Sequence, residues 1–167
     1  MITVTWAEIR SGVLYMASED LCLYAIKERT GQIIYVGKSR DPFGRLCQHI
    51  GEGQDLPSLI GRFILDYLPE SDAWEIDLYE LLECYELIGE EYKYKKYLNR
   101  REVMIIDASV DRAETVLIRK FTPHFNSAKM SGLNPVPLPV IYCSYLEKTS
   151  KQIVAALKAI SPRTPKG

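Results

Sequence analysis

The chain has 167 residues, 47% of them apolar and 26% charged, which fits a folded domain with a sizeable core and argues against wholesale disorder. No apolar stretch approaches the roughly 18 uncharged residues that a membrane-spanning helix needs. The start MITVTWAEIR has no leader-type apolar core, so a cytoplasmic setting without a membrane partner is expected. The net charge of −1 conceals a partition. Ten acidic residues and no basic one lie between Asp66 and Glu91. Lys27, Arg29, Lys38, Arg40 and Arg45 form one basic stretch, and Arg112, Arg119, Lys120 and Lys129 a second. By composition alone these are solvated faces. Polyanion binding depends on where charge sits, however, so a near-neutral total does not exclude it. Cys22, Cys47, Cys84 and Cys143 are widely spaced and contain no C-x-x-C pair. They read as buried thiols rather than a zinc knuckle or a disulfide scaffold.

Within residues 1–20, Thr5 and Glu8 have the T-x-x-E form of a capping box and predict a short helix. Residues 21–39 read as a β-hairpin, with the polar turn Glu28-Arg29-Thr30-Gly31-Gln32 between runs rich in β-branched and aromatic residues. Asp41-Pro42 marks a helix start, and Phe43, Leu46, Cys47 and Ile50 give that helix an apolar face. A helix over about Pro57–Leu68 follows, then a strand at Trp74–Leu78, where apolar and acidic residues alternate. Leu81–Tyr97 reads as a charged helix, and Glu102–Asp107 fits either strand or helix. A helix begins near Asp111, with Ser109 or Asp111 as its cap, and stops at Pro123. Pro135, Pro137 and Pro139 predict an extended linker, Glu147–Ile160 a last amphipathic helix, and 161–167 a disordered tail.

Several polar residues stand on elements that should pack together. Tyr24 and Tyr35 lie on the hairpin strands, where their rings can be buried while the hydroxyls reach a cleft. Arg45 and His49 are four apart and share one helix face. Glu114 projects from a later helix, and Asn126 follows that helix's end. A phenol, an imidazole, a guanidinium and a carboxylate together suit phosphodiester hydrolysis: a base for water, a carboxylate for a metal, a cation for the developing charge. Singly, each is an ordinary packed or solvated residue. Order and spacing carry the signal.

In that order and spacing the chain resembles the GIY-YIG nucleases. Cys22-Leu23-Tyr24 stands where the first name motif falls and Tyr35-Val36-Gly37 where the second does, with ten residues between the tyrosines. Arg45-Leu46-x-x-His49 resembles the family's R-x-x-x-H helix. Glu114-x-x-Leu117-Ile118, followed by Pro123-x-Phe125-Asn126, resembles its closing element, particularly that of excision-repair incision nucleases. The first motif lacks its glycine and isoleucine, and the interval from Trp74 to Glu114 exceeds that of minimal members. The excess falls in Leu81–Arg101. Glu83 and Glu86 are alternative carboxylates, but only Glu114 has the L-I, Pro and Asn at the right offsets.

The resemblance implies an α+β fold: a small three-stranded antiparallel sheet flanked by helices, with a helical insertion at about 81–101 and a C-terminal helical extension. The expected organisation is an N-terminal extension at 1–20, a nuclease domain at 21–130 and an extension and tail at 131–167. The implied activity is metal-dependent endonucleolytic cleavage of DNA, like that of the family's repair, homing and restriction enzymes. Glu114 would hold one Mg²⁺ or Mn²⁺, since one carboxylate plus waters suits Mg²⁺. Tyr24 with His49 would be the base system, a phenol near pKa ~10 requiring nearby positive charge to ionise. Arg45 would contact the scissile phosphate and Tyr35 would position it. Gly37, Lys38, Ser39, Arg40, Arg119 and Lys120 would line the nucleic acid, and Asn126 would brace the site. The alternatives are a catalytically weak nucleic-acid-binding module and an RNA-directed nuclease. Residues 81–101 or 147–160 are candidate surfaces for a protein partner or self-association.

Overall fold

A computed structural model of the chain describes residues 1–12, 20–52, 56–93, 98–129, 132–142, 145 and 148–152. They fall into two compact units, Met1–Val136 and Pro137–Gly167. The first unit runs β1 (Ile2–Thr5), α1 (Trp6–Ser11), β2 (Leu21–Lys27), β3 (Ile33–Lys38), α2 (Pro42–His49), α3 (Leu59–Asp66), β4 (Glu75–Glu80), α4 (Leu81–Leu87) and α5 (Arg100–Phe121). A short 3-10 turn at His124–Lys129 closes the site region. In the second unit, Val140–Tyr142 forms a 3-10 turn and 148–152 is helical. The rest of the helix expected at 147–160 and the tail at 161–167 lie outside the described residues. Among the described residues, no helix is long and apolar enough to cross a membrane.

The fold is α+β as expected, but the antiparallel sheet has four strands rather than three, in the order β1-β4-β2-β3. The extra strand is β1, which pairs with β4 from Ile2↔Leu78 to Thr5↔Glu75. Four residues are too few for an alternating pattern to stand out, so its partner rather than its sequence makes it a strand. Thr5 then ends β1 and caps α1, with its side chain and that of Glu8 satisfying each other's backbone N–H groups.

α5 also departs from expectation. It is one helix of 22 residues, so Ser109 and Asp111 lie inside it rather than at its cap. The true cap is Asn99, whose side chain accepts from Glu102 N while the Glu102 carboxylate accepts from Asn99 N. Met104 and Ile105 are exposed, so the first half of the helix shows no clean apolar stripe by which to recognise it. α4 is shorter than the expected segment to Tyr97, and the left-handed Gly89 lies just beyond its end. Residues 94–97 fall outside the described part.

β2 sends alternate side chains to opposite faces. Leu23 and Ala25 pack with Val36, Cys84, Ala113, Leu117 and Ile118, joining the sheet to α4 and α5. Tyr24 meets His49 of α2 on the other face. Cys47 and Cys84 are buried, but Cys22 is only half-buried and sits 3.3 Å from the Cys84 sulfur. That contact, with burial, raises the Cys84 thiol and keeps it protonated. Cys143 lies outside the described residues.

β3 is a sheet edge, which leaves outward backbone groups to satisfy. Asn126 does this in both directions: its Oδ1 accepts from Val36 N at 2.8 Å and its Nδ2 donates to Val36 O at 2.8 Å. The side chain is buried and spans 90 positions of sequence. Asn126→Ala is expected to lower the unfolding free energy by about 2 kcal/mol or more, since two buried backbone groups lose their partner. Denaturant unfolding followed by circular dichroism measures it, and a change under about 0.5 kcal/mol, the level of an ordinary surface substitution, would count against the brace.

Candidate active site

The hairpin and α2 bring the first cluster together. Tyr24 and Gly37 are register partners on β2 and β3. A Cβ on Gly37 would stand 2.5 Å from the Tyr24 ring and 2.9 Å from that of Tyr35, so only glycine lets the two rings close over the strand. The ring centroids of Tyr24 and Tyr35 are then 6.1 Å apart. α2 starts on Asp41, which accepts from Gly44 N at 2.9 Å, with Pro42 at the first helical position. Ser39 is spent on the same turn, donating to Asp41 O and accepting from Asp41 N.

α2 aims His49 inward and Arg45 outward. The Tyr24 hydroxyl lies 2.8 Å from His49 Nε2, and both side chains are buried. His49 also packs edge-on against Tyr35 at 5.2 Å. Its other nitrogen, Nδ1, is 2.7 Å from Ser58 Oγ. If Nδ1–H donates to Ser58, Nε2 is free to accept the Tyr24 proton, and the Ser58 hydroxyl itself reaches His49 O at 3.4 Å. Ser58 is a site residue that the sequence reading missed. Its only sequence signal is its N-cap position before α3, where it also accepts from Gly61 N.

Burial dominates the electrostatics here. Desolvation raises the Tyr24 phenol well above its ordinary range, the neighbouring Tyr35 adds to this, and the Arg45 guanidinium pulls the other way without winning. The positive charge that the sequence reading asked for is present in Arg45 and acts in the expected direction, but burial outweighs it. His49 is pushed down to about 4, first by desolvation and then by Arg45. At neutral pH the pair is a neutral phenol on a neutral imidazole, and the imidazole is the group able to take a proton.

This has a consequence for stability. As pH falls, the unfolded chain protonates His49 near 6.5 and the folded chain only near 4. The contribution is therefore complete above about pH 6.5 and is lost as pH drops toward 4, up to roughly 3 kcal/mol. His124, also lowered by burial, acts with the same sign. The unfolding midpoint is expected to fall from pH 7 to pH 4.5, and His49→Gln to flatten most of that slope. An unchanged slope in the variant would remove His49 as its source.

Glu114 stands on a different element. It is buried on α5, next to Ala113 in the core. Its Oε1 accepts from Lys129 Nζ at 2.8 Å, and Lys129 is its partner among the described residues. No direct bond joins it to the tyrosine–histidine cluster. The donor chemistry nevertheless fits a hard divalent cation: a carboxylate oxygen already carries a positive group that arrives from solvent. Among the described residues no group of three or more His, Cys, Asp or Glu side chains is assembled. Glu83, the rejected alternative, is spent on Glu80 N and the N-terminal amine.

The expected basic face divides into three kinds of residue. Lys38 pairs with Asp111 and Arg40 with Asp107, both carboxylates of α5. Arg45 donates to Gln48 at 3.1 Å, and Lys120 lies over the Phe121 ring at 5.0 Å. Arg119 has no ion-pair partner among the described residues.

The GIY-YIG catalytic domain family matches residues 21–126. The solved structure of the N-terminal GIY-YIG endonuclease domain of UvrC from Thermotoga maritima, a point mutant bound to its catalytic divalent cation, is 23% identical to the chain. That match covers 71% of this chain and 94% of the other, with a TM-score of 0.37. Curated proteins yield no match. With well over half its length matched, this chain belongs to the GIY-YIG family and contains its catalytic domain.

Proposed function

We propose that the protein is a divalent-metal-dependent endonuclease that cleaves DNA by attack of water on a phosphodiester bond. The observation that carries this reading is the buried Tyr24 hydroxyl held 2.8 Å from a neutral His49 imidazole, beside Arg45 and Tyr35. Any buried tyrosine hydroxyl needs a partner; here the partner is an imidazole that stays neutral and so can accept a proton.

Tyr24 acts as a relay rather than as a preformed phenolate. Its oxygen accepts a proton from the attacking water while its own proton passes to His49 Nε2, so a buried anion need not persist. Ser58 fixes the imidazole in the accepting tautomer through Nδ1. Arg45, exposed at the rim, holds the non-bridging oxygens of the scissile phosphate in its planar fork. Tyr35, half-buried against His49, limits where that phosphate and water can sit. Glu114 holds one Mg²⁺ or Mn²⁺, which supplies neutralising charge for the phosphate when bound. Asn126 keeps β3, and with it Tyr35 and Gly37, in register.

The direct test is incubation of the protein with supercoiled plasmid in Mg²⁺, Mn²⁺ or EDTA. Nicked and linear products are expected with either cation and none with EDTA. Cleavage of an RNA of the same sequence with the plasmid intact would redirect the reading to RNA. Cleavage in EDTA would remove the metal from it.

A further inference from the structure

α5 carries three carboxylates along one side, Asp107, Asp111 and Glu114, and each holds a cation from another segment. The first two pairs lie in solvent, with both carboxylates about half exposed. The third differs. The Glu114 side chain is 7% exposed, whereas Lys129 is 52% exposed and reaches it from the end of the short turn that contains Asn126. A desolvated carboxylate therefore rests on one ammonium that is itself free to leave into water. Lys129 also borders a cavity of about 400 Å³ beside the C-terminal part of α5. Thr115, Ile118, Arg119 and Leu133 complete its lining. Arg119, one turn beyond Thr115, is a cation of that wall with no ion-pair partner among the described residues.

We propose that Lys129 is a displaceable counterion that stands on Glu114 until a divalent cation arrives, and then joins Arg119 in the cavity to hold a backbone phosphate of the nucleic acid. This rests on the nuclease reading above and adds to it a second phosphate subsite and a residue that links it to the metal. The physical reason is charge. A divalent cation bound to the same carboxylate repels the ammonium 2.8 Å from Oε1 and takes over the neutralising of its charge, which loosens the hold on Lys129. Lys129 has a flexible stem and a half-exposed head, so it can swing to the neighbouring wall. There Arg119 alone would meet an anion, and two cations make a phosphate site. Cation binding and DNA binding then favour each other, as linkage requires.

The test uses the full chain carrying Tyr24→Phe, which retains Glu114 and Lys129 while cleavage is suppressed. Mn²⁺ affinity without DNA is measured by the paramagnetic resonance of free Mn²⁺. Lys129→Gln is expected to tighten it about tenfold, Lys129→Arg to leave it near the parent value, and Arg119→Gln to leave it unchanged. Duplex affinity is then measured by anisotropy across a salt series, with Ca²⁺ or with EDTA. The parent slope is expected to be steeper in Ca²⁺ by about 0.9, one further phosphate contact. In Lys129→Gln the two slopes should coincide, and Arg119→Gln should weaken DNA binding in both conditions. Mn²⁺ bound through Glu114 but no tighter in Lys129→Gln, or equal parent slopes in Ca²⁺ and EDTA, overturns this inference alone. A parent that binds no Mn²⁺, or whose Mn²⁺ binding survives Glu114→Gln, overturns the metal assignment as well.

Discussion

Glu114→Gln is expected to lower DNA cleavage by about 10²-fold or more while the protein stays folded. Glutamine keeps the volume of a buried side chain, so the core around Ala113, Leu117 and Ile118 is not opened. What disappears is the charge that a divalent cation needs. Lys129 loses its partner too, but a half-exposed ammonium is rehydrated at little cost. Single-turnover cleavage at saturating Mg²⁺, with far-UV circular dichroism as the folding control, separates the two effects. Wild-type turnover in a folded variant would show that Glu114 holds no catalytic metal.

The second large effect is expected from Tyr24→Phe. The ring is retained, so Gly37 still packs beneath it and the hairpin register should hold. The lost hydroxyl leaves His49 Nε2 without its 2.8 Å partner in a buried place, a cost of about 1–3 kcal/mol. Cleavage should fall by about 10²-fold or more, the usual scale for loss of a general base. Because phenol and imidazole form one proton path, their losses should not add. Tyr24→Phe and His49→Ala combined should be little worse than either alone. Independent, multiplying losses would mean that the two residues act separately and that the relay is wrong.

The local elements were legible in the sequence where a short-range signal defines them. Thr5 with Glu8, Asp41 with Pro42, and the 28–32 turn each place an element end through contacts made within a few residues. The motif spacing selected Tyr24, Tyr35, Arg45, His49 and Asn126, and the structure does bring the tyrosines, the imidazole and Gly37 into one cluster with Arg45 at its rim. Glu114 was also singled out by its offsets from Leu117, Ile118, Pro123 and Asn126, although Lys129, its bonded neighbour among the described residues, had no such signal.

What the sequence could not decide depends on distant partners and on water. β1 is a strand because β4 offers it a ladder 70 or more residues away. The cap of α5 moved to Asn99 because an exposed first half shows no apolar period, whereas a capping side chain acts regardless of exposure. Ser58 joins the site only because α3 folds back against His49, so closely that a Cβ on Gly61 would meet the His49 carbonyl oxygen at 1.6 Å. The basic residues were visible as charges, but the pairing of Lys38 with Asp111 and of Arg40 with Asp107 is set by how α5 lies along β3, and that of Lys129 with Glu114 by the turn at His124–Lys129. The proton chemistry was decided last and by tertiary structure alone. Residue type predicts a phenol and an imidazole at their ordinary values, and only packing removes the water that would stabilise their charged forms, which raises Tyr24 and lowers His49.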